Sequence, residues 1–315
     1  MSPNRLPTDP AIWRGRIDAG ESGDATRWHQ HVGAWVPGCP RGVALVGFAC
    51  DAGVRRNQGR AGASGGPVAI RRALANLAWH CALPVWDAGD VRVDDASDDL
   101  EGGQDLLAHT IAALLDEGHR VLALGGGHEI AFASFSGLAQ HARASGETIG
   151  VVNIDAHFDL RAGARGTSGT PFRQIAEQCA AAGRAFRYFC LGVNEDANTR
   201  ALFDTARRLG AQWRLDTEMG CDGHGQTREQ LAGYLRSVDR VHLSIDLDAL
   251  PSATAPGVSA PAARGVSLEL VEAIVGDVLA SGKLAIADIA ELNPSLDIDA
   301  RTAGVAARLA ARLAR

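Results

Sequence analysis

Short apolar runs, separated by polar and glycine-rich stretches, recur along most of the chain, at residues 43–48, 121–124, 149–154, 187–191, 241–245 and 284–289. Their length and Val/Ile/Leu content predict strands buried on both faces. Between them the apolar spacing lengthens to three and four. Leu106, Leu107, Ile111, Leu114 and Leu115 predict a helix over residues 104–118, stopped by its terminal glycine. Leu270, Val271, Ile274, Val275 and Val278 predict another over 268–279, followed by Gly282. Strands alternating with helices argue for the α/β class, with a mainly parallel sheet covered on both sides. Residues 1–40 are polar and carry Trp13, Trp28 and Trp35. They predict an N-terminal arm or helix that packs its Trp rings on the body or on a neighbouring subunit. No repeat, low-complexity tract or long linker divides residues 41–315, which are read as a single domain.

Composition narrows the function more than the fold. With 315 residues, 46% hydrophobic and 22% charged, the chain can build a sizeable core. The formal net charge is −6 and no block of like charges occurs, so neither a nucleic acid nor a membrane surface is an expected partner. No apolar run reaches the roughly 18 residues of a membrane span. The first 20 residues lack the apolar centre of a secretory signal. Cys39, Cys50, Cys81, Cys179, Cys190 and Cys221 are scattered without a C-x-x-C pair, which suits buried free thiols in a reducing compartment. A cytoplasmic location is expected. Lys283 is the only lysine among 31 basic residues, so an arginine is no functional signal merely by being arginine.

Ligands of open α/β sheets bind beyond the carboxyl ends of the strands. Functional groups should therefore come after the apolar runs, and four times they do: Gly125-Gly126-Gly127-His128-Glu129, Asp155-Ala156-His157-Phe158-Asp159, Asp246-Leu247-Asp248 and Glu291-Leu292-Asn293. Residues two apart in extended backbone share a face, so each segment delivers its polar groups to one side. Taken singly these pieces are weak. D-x-H-x-D suits a capped surface loop, Asp-Leu-Asp a helix cap, and a lone histidine a satisfied core position. The triple glycine lacks the lysine of a phosphate-binding loop. Together, so many ionisable groups would be costly to bury without cations. Four carboxylates balance two dipositive ions, and two imidazoles add neutral donors. Such an oxygen-rich set favours a hard ion such as Mn²⁺. Two ions about 3.5–4 Å apart activate a shared water, which makes the expected chemistry hydrolysis.

In identity, order and spacing, the strings GGGHE, DAHFD, SIDLD and ELNP resemble the arginase and agmatinase family, from about Val43 to the C-terminus. The resemblance implies a three-layer α/β/α sandwich around a mainly parallel sheet and a centre of two Mn²⁺ ions. The implied metal ligands are His128, Asp155, His157, Asp159, Asp246 and Asp248. Asp159 would also relay a proton to the leaving amine, and Glu291 would face the cationic nitrogen of the substrate. Cys50 and Ser244 receive no role. Homo-oligomers, trimers or hexamers, are implied as well. Within the family the likeness is greatest to the branch that splits N-formimidoyl-L-glutamate into L-glutamate and formamide in histidine catabolism. It rests on Phe158-Asp159-Leu160-Arg161, on Thr167 to Phe172, on Asn198 to Phe203 and on Ala255 to Pro261. Arginases carry a proton-shuttling histidine after a Ser-Gly pair in the loop after the second ligand segment. Here Ser168-Gly169 is followed by Thr170-Pro171-Phe172, which implies a poor arginase.

An amidine with two carboxylates calls for guanidinium forks and one acidic partner. Arg161, just past the last ligand of its segment, is the first candidate for a substrate carboxylate. Arg55, Arg56 and Arg60 come next, with Asn57 and Gln58 between them. Alternative readings are an agmatinase or guanidino-acid hydrolase that releases urea, an inactive regulatory homologue, and a metallophosphatase or nuclease. The last lacks a basic track.

Overall fold

Strands and helices alternate along the computed structural model, which describes residues 5–21, 24–94, 97–143 and 145–315. The strands are β1 (Arg5–Leu6), β2 (Gly33–Ala34), β3 (Val43–Ala49), β4 (Val85–Arg92), β5 (Arg120–Leu124), β6 (Ile149–Ile154), β7 (Tyr188–Val193), β8 (Gln212–Leu215), β9 (Arg240–Asp246) and β10 (Leu284–Ala290). The helices are α1 (Ala52–Arg56), α2 (Gly66–Ala75), α3 (Leu100–Asp116), α4 (Ile130–His141), α5 (Pro171–Ala181), α6 (Arg200–Arg208), α7 (His224–Arg236), α8 (Leu268–Ala280) and α9 (Arg301–Leu313).

The strands form one sheet in the order β1-β4-β3-β5-β10-β9-β6-β7-β8, with β2 also pairing β4. Pairing is parallel except between β1 and β4. Successive residues of each strand feed opposite faces. In β3, Val43 and Leu45 join a cluster under α2, α7, α8 and α9. Ala44, Val46 and Phe48 join the cluster under α3, α4, α5 and α6. Both faces are thus sealed, which is why the central strands read as unbroken apolar runs. The result is the expected α/β/α sandwich.

All six predicted strands are present, most of them one or two residues longer than their apolar runs. β4 escaped the apolar pattern because its sequence carries Asp87, Gly89 and Asp90. Arg71 of α2 pairs with both aspartates, at 2.9 and 2.6 Å, which neutralises charges inside the sheet. β8 lies at the sheet edge and is too short to show a pattern. The predicted helix at 104–118 starts earlier, at Leu100, where the Asp99 side chain accepts from the Gly102 amide at 3.0 Å. It ends where Gly118 turns left-handed, with φ 83°.

The N-terminal segment forms no α-helix among its described residues. Among its described residues it contains two short strands and two 3-10 turns, with positions 1–4, 22 and 23 outside the description. Its Trp rings pack on the body. Trp28 is buried in the core cluster, and Trp13 donates its indole N–H to Asp87 at 2.7 Å. The six cysteines are free, but only Cys50, Cys179 and Cys190 are buried, and Cys221 is exposed. Among the described residues no helix is long and apolar enough to cross a membrane.

Candidate metal centre

The four motif segments converge because of strand order. Strands β5, β10, β9 and β6 are consecutive at the centre of the sheet, and each motif begins at the carboxyl end of one of them. Gly126 allows the closest approach there. A Cβ on it would sit 1.9 Å from the Cys50 carbonyl oxygen, so the glycine run is a packing requirement rather than a phosphate cradle.

Two overlapping groups of ligand-type atoms result. In one, His128, Asp155, Asp159 and Asp246 place one atom each within 4.8 Å of one another; in the other, Asp155, His157 and Asp248 do the same. The His128 Nδ1 atom lies 3.1, 2.9 and 3.2 Å from carboxylate oxygens of Asp155, Asp159 and Asp246. The His157 Nδ1 atom lies 3.2 Å from Asp248 and 3.5 Å from Asp155. Asp155 is common to both groups. Backbone amides hold these carboxylates in place: His157 N–H donates to Asp155 at 2.7 Å, and Asp248 N–H to Asp246 at 2.8 Å. Asp159 (φ 48°) and Glu291 (φ 68°) adopt left-handed backbone, a strain of about 1–2 kcal/mol each.

Burial and like charge distort the titration of the cluster. Burial, aided by the Asp155 charge, raises the Asp159 carboxyl to about 6. Burial and the Asp248 charge push Asp246 well above the carboxylate range. For Asp155, burial is outweighed by its two imidazole partners, which hold it well below that range. Burial likewise opposes protonation of His128, but Asp155, Asp159 and Asp246 win and raise it. Such a cluster binds protons where cations would serve better. The residues fit a pair of divalent ions: the donors are oxygen-rich, and Asp248 Oδ1 is buried without a partner.

A third layer supports the ligands. His128 Nε2 faces Ser244 Oγ at 2.9 Å, Ser244 donates to Asp288 at 2.5 Å, and Asp288 meets His242 Nε2 at 2.5 Å. Ser244 is therefore no bystander. With Nε2–H donated to Ser244, the neutral His128 ring keeps Nδ1 free to ligate. Asn153 supports Asp155 at 3.0 Å and also donates to the Tyr188 hydroxyl. Cys50 donates to Glu129 at 3.6 Å, and burial raises its thiol far above the ordinary range. The Glu291 Oε1 atom accepts from the His128 amide at 2.9 Å. Burial, with Glu129 nearby, lifts the Glu291 carboxyl to about 8. These supporting residues did leave a signal. His242, Ser244, Asp246 and Asp248 succeed one another at spacing two, a polar face on an apolar strand.

The cluster floors a cleft of about 370 Å³, whose wall includes Glu291, Asn57, Arg60 and Arg161. Gln58, Ser168 and Ser259 also line it. Gln58 lies in the expected candidate loop, but nothing in the local sequence marks the two serines, since uncharged polar residues are common in any loop. Among the described residues the exposed Arg161 guanidinium has no ion-pair partner. Arg60 spends two N–H bonds on the Ser259 and Val258 carbonyls, at 2.9 and 2.7 Å. Arg55 and Arg56 are not brought to the cleft wall. Arg56 is held by Asp98, Glu101 and the Gly166 carbonyl, and Arg55 pairs with Asp51. Helix α1 turns these two side chains away, a consequence that sequence distance from Arg60 did not reveal.

Comparison with known proteins agrees with this geometry. The model of the arginase family matches residues 41–314. The formimidoylglutamase of Chromobacterium violaceum is 56% identical over 307 residues, covering 98% of each chain. That of Ralstonia nicotianae is 55% identical over 310 residues, covering 97% of this chain and 95% of its own. A crystal structure of formimidoylglutamase from Bacillus subtilis superposes with TM-score 0.81 at 24% identity, covering 95% and 94% of the two chains. Trypanosoma cruzi formiminoglutamase with Mn2+2 gives TM-score 0.78 at 26% identity, covering 87% and 92%. By its sequence from residue 41 onward, its fold and its relatives, the chain belongs to the arginase family.

Proposed function

We propose that this chain hydrolyses N-formimidoyl-L-glutamate to L-glutamate and formamide at a centre of two Mn²⁺ ions. The observation that carries the reading is the pair of ligand groups sharing Asp155 at the floor of a cleft with the exposed Arg161 at its wall. It is supported by relatives named formimidoylglutamase at up to 56% identity over nearly the whole chain. The ligands would be His128, Asp155, Asp159 and Asp246 for one ion, and Asp155, His157 and Asp248 for the other. Ions bound there would acidify a shared water and polarise the amidine carbon.

The chain's own groups position the substrate and move protons. Arg161 is the fork for one substrate carboxylate, and the remaining N–H bonds of Arg60, with Asn57, serve the other. The buried Glu291 carboxyl holds the amidinium nitrogen, a charge partner that keeps it ionised when substrate is bound. Asp159, at the floor of the cleft beside the reacting carbon, would pass the proton of the attacking water to the departing α-amine. The placement of Arg56 on Asp98 and Glu101 makes it a tie between α1 and the start of α3 rather than a substrate ligand. The reading carries with it a cytoplasmic homo-oligomer.

The test is a comparison of kcat/KM for N-formimidoyl-L-glutamate, arginine, agmatine and guanidinobutyrate on Mn²⁺-loaded protein. Preference for the first by several orders of magnitude is expected. Urea from a guanidino substrate at a comparable rate would keep the centre and overturn the substrate.

A further inference from the structure

The two imidazoles of the centre are held differently. His128 has its outer nitrogen, Nε2, against Ser244 at 2.9 Å. Among the described residues no hydrogen bond or ion pair reaches His157 Nε2, and only Nδ1 meets carboxylates, those of Asp248 and Asp155. No side chain therefore aims the His157 ring from behind, and its direction is left to its backbone.

Two peptide planes meet at the His157 Cα, and one buried side chain grips both. Asn198, in the loop after β7 and 5% exposed, donates from Nδ2 to the Ala156 carbonyl at 2.9 Å and accepts at Oδ1 from the Phe158 N–H at 3.1 Å. Peptide units are planar, so holding the one on each side restricts φ and ψ of His157, and with them the direction of its Cβ. The grip is itself anchored. The second N–H of Asn198 goes to the Asn194 carbonyl at 2.8 Å, and the Asn194 N–H joins it on the Ala156 carbonyl at 2.9 Å. Only one orientation of the Asn198 amide satisfies this pattern, because the reverse would set its oxygen against two carbonyls. Phe203, from the same stretch of sequence, packs edge-on against the Phe158 ring at 5.0 Å. The next ligand is tied separately: the Tyr188 hydroxyl donates to the Phe158 carbonyl at 2.9 Å, and the Phe172 N–H to the Asp159 carbonyl at 3.3 Å.

We propose that Asn198 is the positioning residue for His157 and, through it, for the ion assigned to Asp155, His157 and Asp248, an inference that rests on the two-ion reading above. Asn198 does not line the cleft and acts only through the backbone of its neighbour.

The experiment titrates Mn²⁺ into the metal-free full chain, parent and Asn198→Ala, by calorimetry. One of the two ions should bind about 10–100-fold more weakly in the variant, the usual cost of losing an orienting partner. The other should change by no more than about twofold, as expected for an independent site. His157→Ala identifies the affected ion. The ion that remains in it should bind equally well, within about twofold, when Asn198→Ala is added. Because His157 is displaced rather than lost, excess Mn²⁺ should restore kcat in Asn198→Ala, with KM for N-formimidoyl-L-glutamate within about twofold of the parent. Should Asn198→Ala not fold, Asn198→Asp replaces it. It has the same shape but sets a carboxylate against two carbonyls, and the ratio of the two affinities is read in the same way. Equal weakening of both ions, or of neither, overturns the positioning role, as does a further loss at the remaining ion in the double variant. A parent chain that binds only one ion overturns the two-ion reading itself.

Discussion

Replacing Ser244 with alanine removes one hydroxyl from the buried run His128–Ser244–Asp288–His242, and its consequences can be worked from the distances. Ser244 donates to the Asp288 carboxylate at 2.5 Å, a charge-assisted bond worth about 1.5–3 kcal/mol. Asp288 keeps His242 as a partner, so the loss of folding stability should fall at about 2 kcal/mol rather than at the cost of a stranded charge. The second effect is on the ion. Without the Ser244 oxygen at 2.9 Å, nothing holds His128 with its proton on Nε2. Loss of such an orienting partner typically weakens metal binding about 10–100-fold, equivalent to about 1.4–2.8 kcal/mol. The measurement is a Mn²⁺ titration of metal-free protein and variant, monitored by calorimetry, beside urea unfolding of both metal-free forms. Ser244→Thr, which keeps the hydroxyl, should recover most of the affinity. If Ser244→Ala loses about 2 kcal/mol of stability but binds Mn²⁺ as tightly as the parent, the orienting role assigned to the hydroxyl is wrong.

Four further outcomes are expected. Asp155→Asn, which alters the residue shared by both ligand groups, should lower the content of both ions rather than one, as read by elemental analysis after dialysis. Arg161→Met should raise KM for N-formimidoyl-L-glutamate by roughly 10–150-fold, the value of one charge-assisted bond, with kcat changed far less. Gly126→Ala would press a methyl to 1.9 Å from a carbonyl oxygen, so either soluble expression or several degrees of thermal stability should be lost. Acid stability should depend on Glu101. Burial raises its carboxyl, but Arg56 and Arg165 overcome this and hold it at about 2, below its ordinary 4.5. A depressed folded value gives stability that is present above about pH 4.5 and disappears as pH falls toward 2. Glu101→Gln should remove that part of the acid transition while costing less than about 1 kcal/mol at neutral pH, since the pair is half exposed.

How far the sequence shows this fold depends on burial. Strands sealed on both faces, such as β6, stand out as apolar runs with their carboxyl ends marked by ligands. β4 is mostly buried but contains two aspartates, and their partner Arg71 lies in a helix before it, so no local pattern reveals the strand. The metal ligands were legible for the same reason: ionisable groups at spacing two, directly after apolar runs, are costly to bury unless cations balance them. Crossover topology is not local. That β10 and β9 insert between β5 and β6 determines which loops meet, and only the fold shows it. Side-chain direction is equally hidden. Arg56 and Arg60 lie one helical turn apart in sequence, yet one is tied to Glu101 and the other reaches the cleft. Ser244 and Asp288 were visible as polar residues in apolar strands, but their contact joins different strands and required the register of β9 against β10, where Ser244 stands beside Asp288.

The proposed reaction couples a two-ion centre to the cleavage of one bond, and a single titration addresses both. Metal-free protein would be given increasing Mn²⁺ and assayed with N-formimidoyl-L-glutamate, with glutamate and formamide quantified. Activity should reach its plateau at two equivalents per chain, with the two products formed in equal amounts. A plateau at one equivalent, or ammonia with formylglutamate in their place, would contradict the proposed reaction.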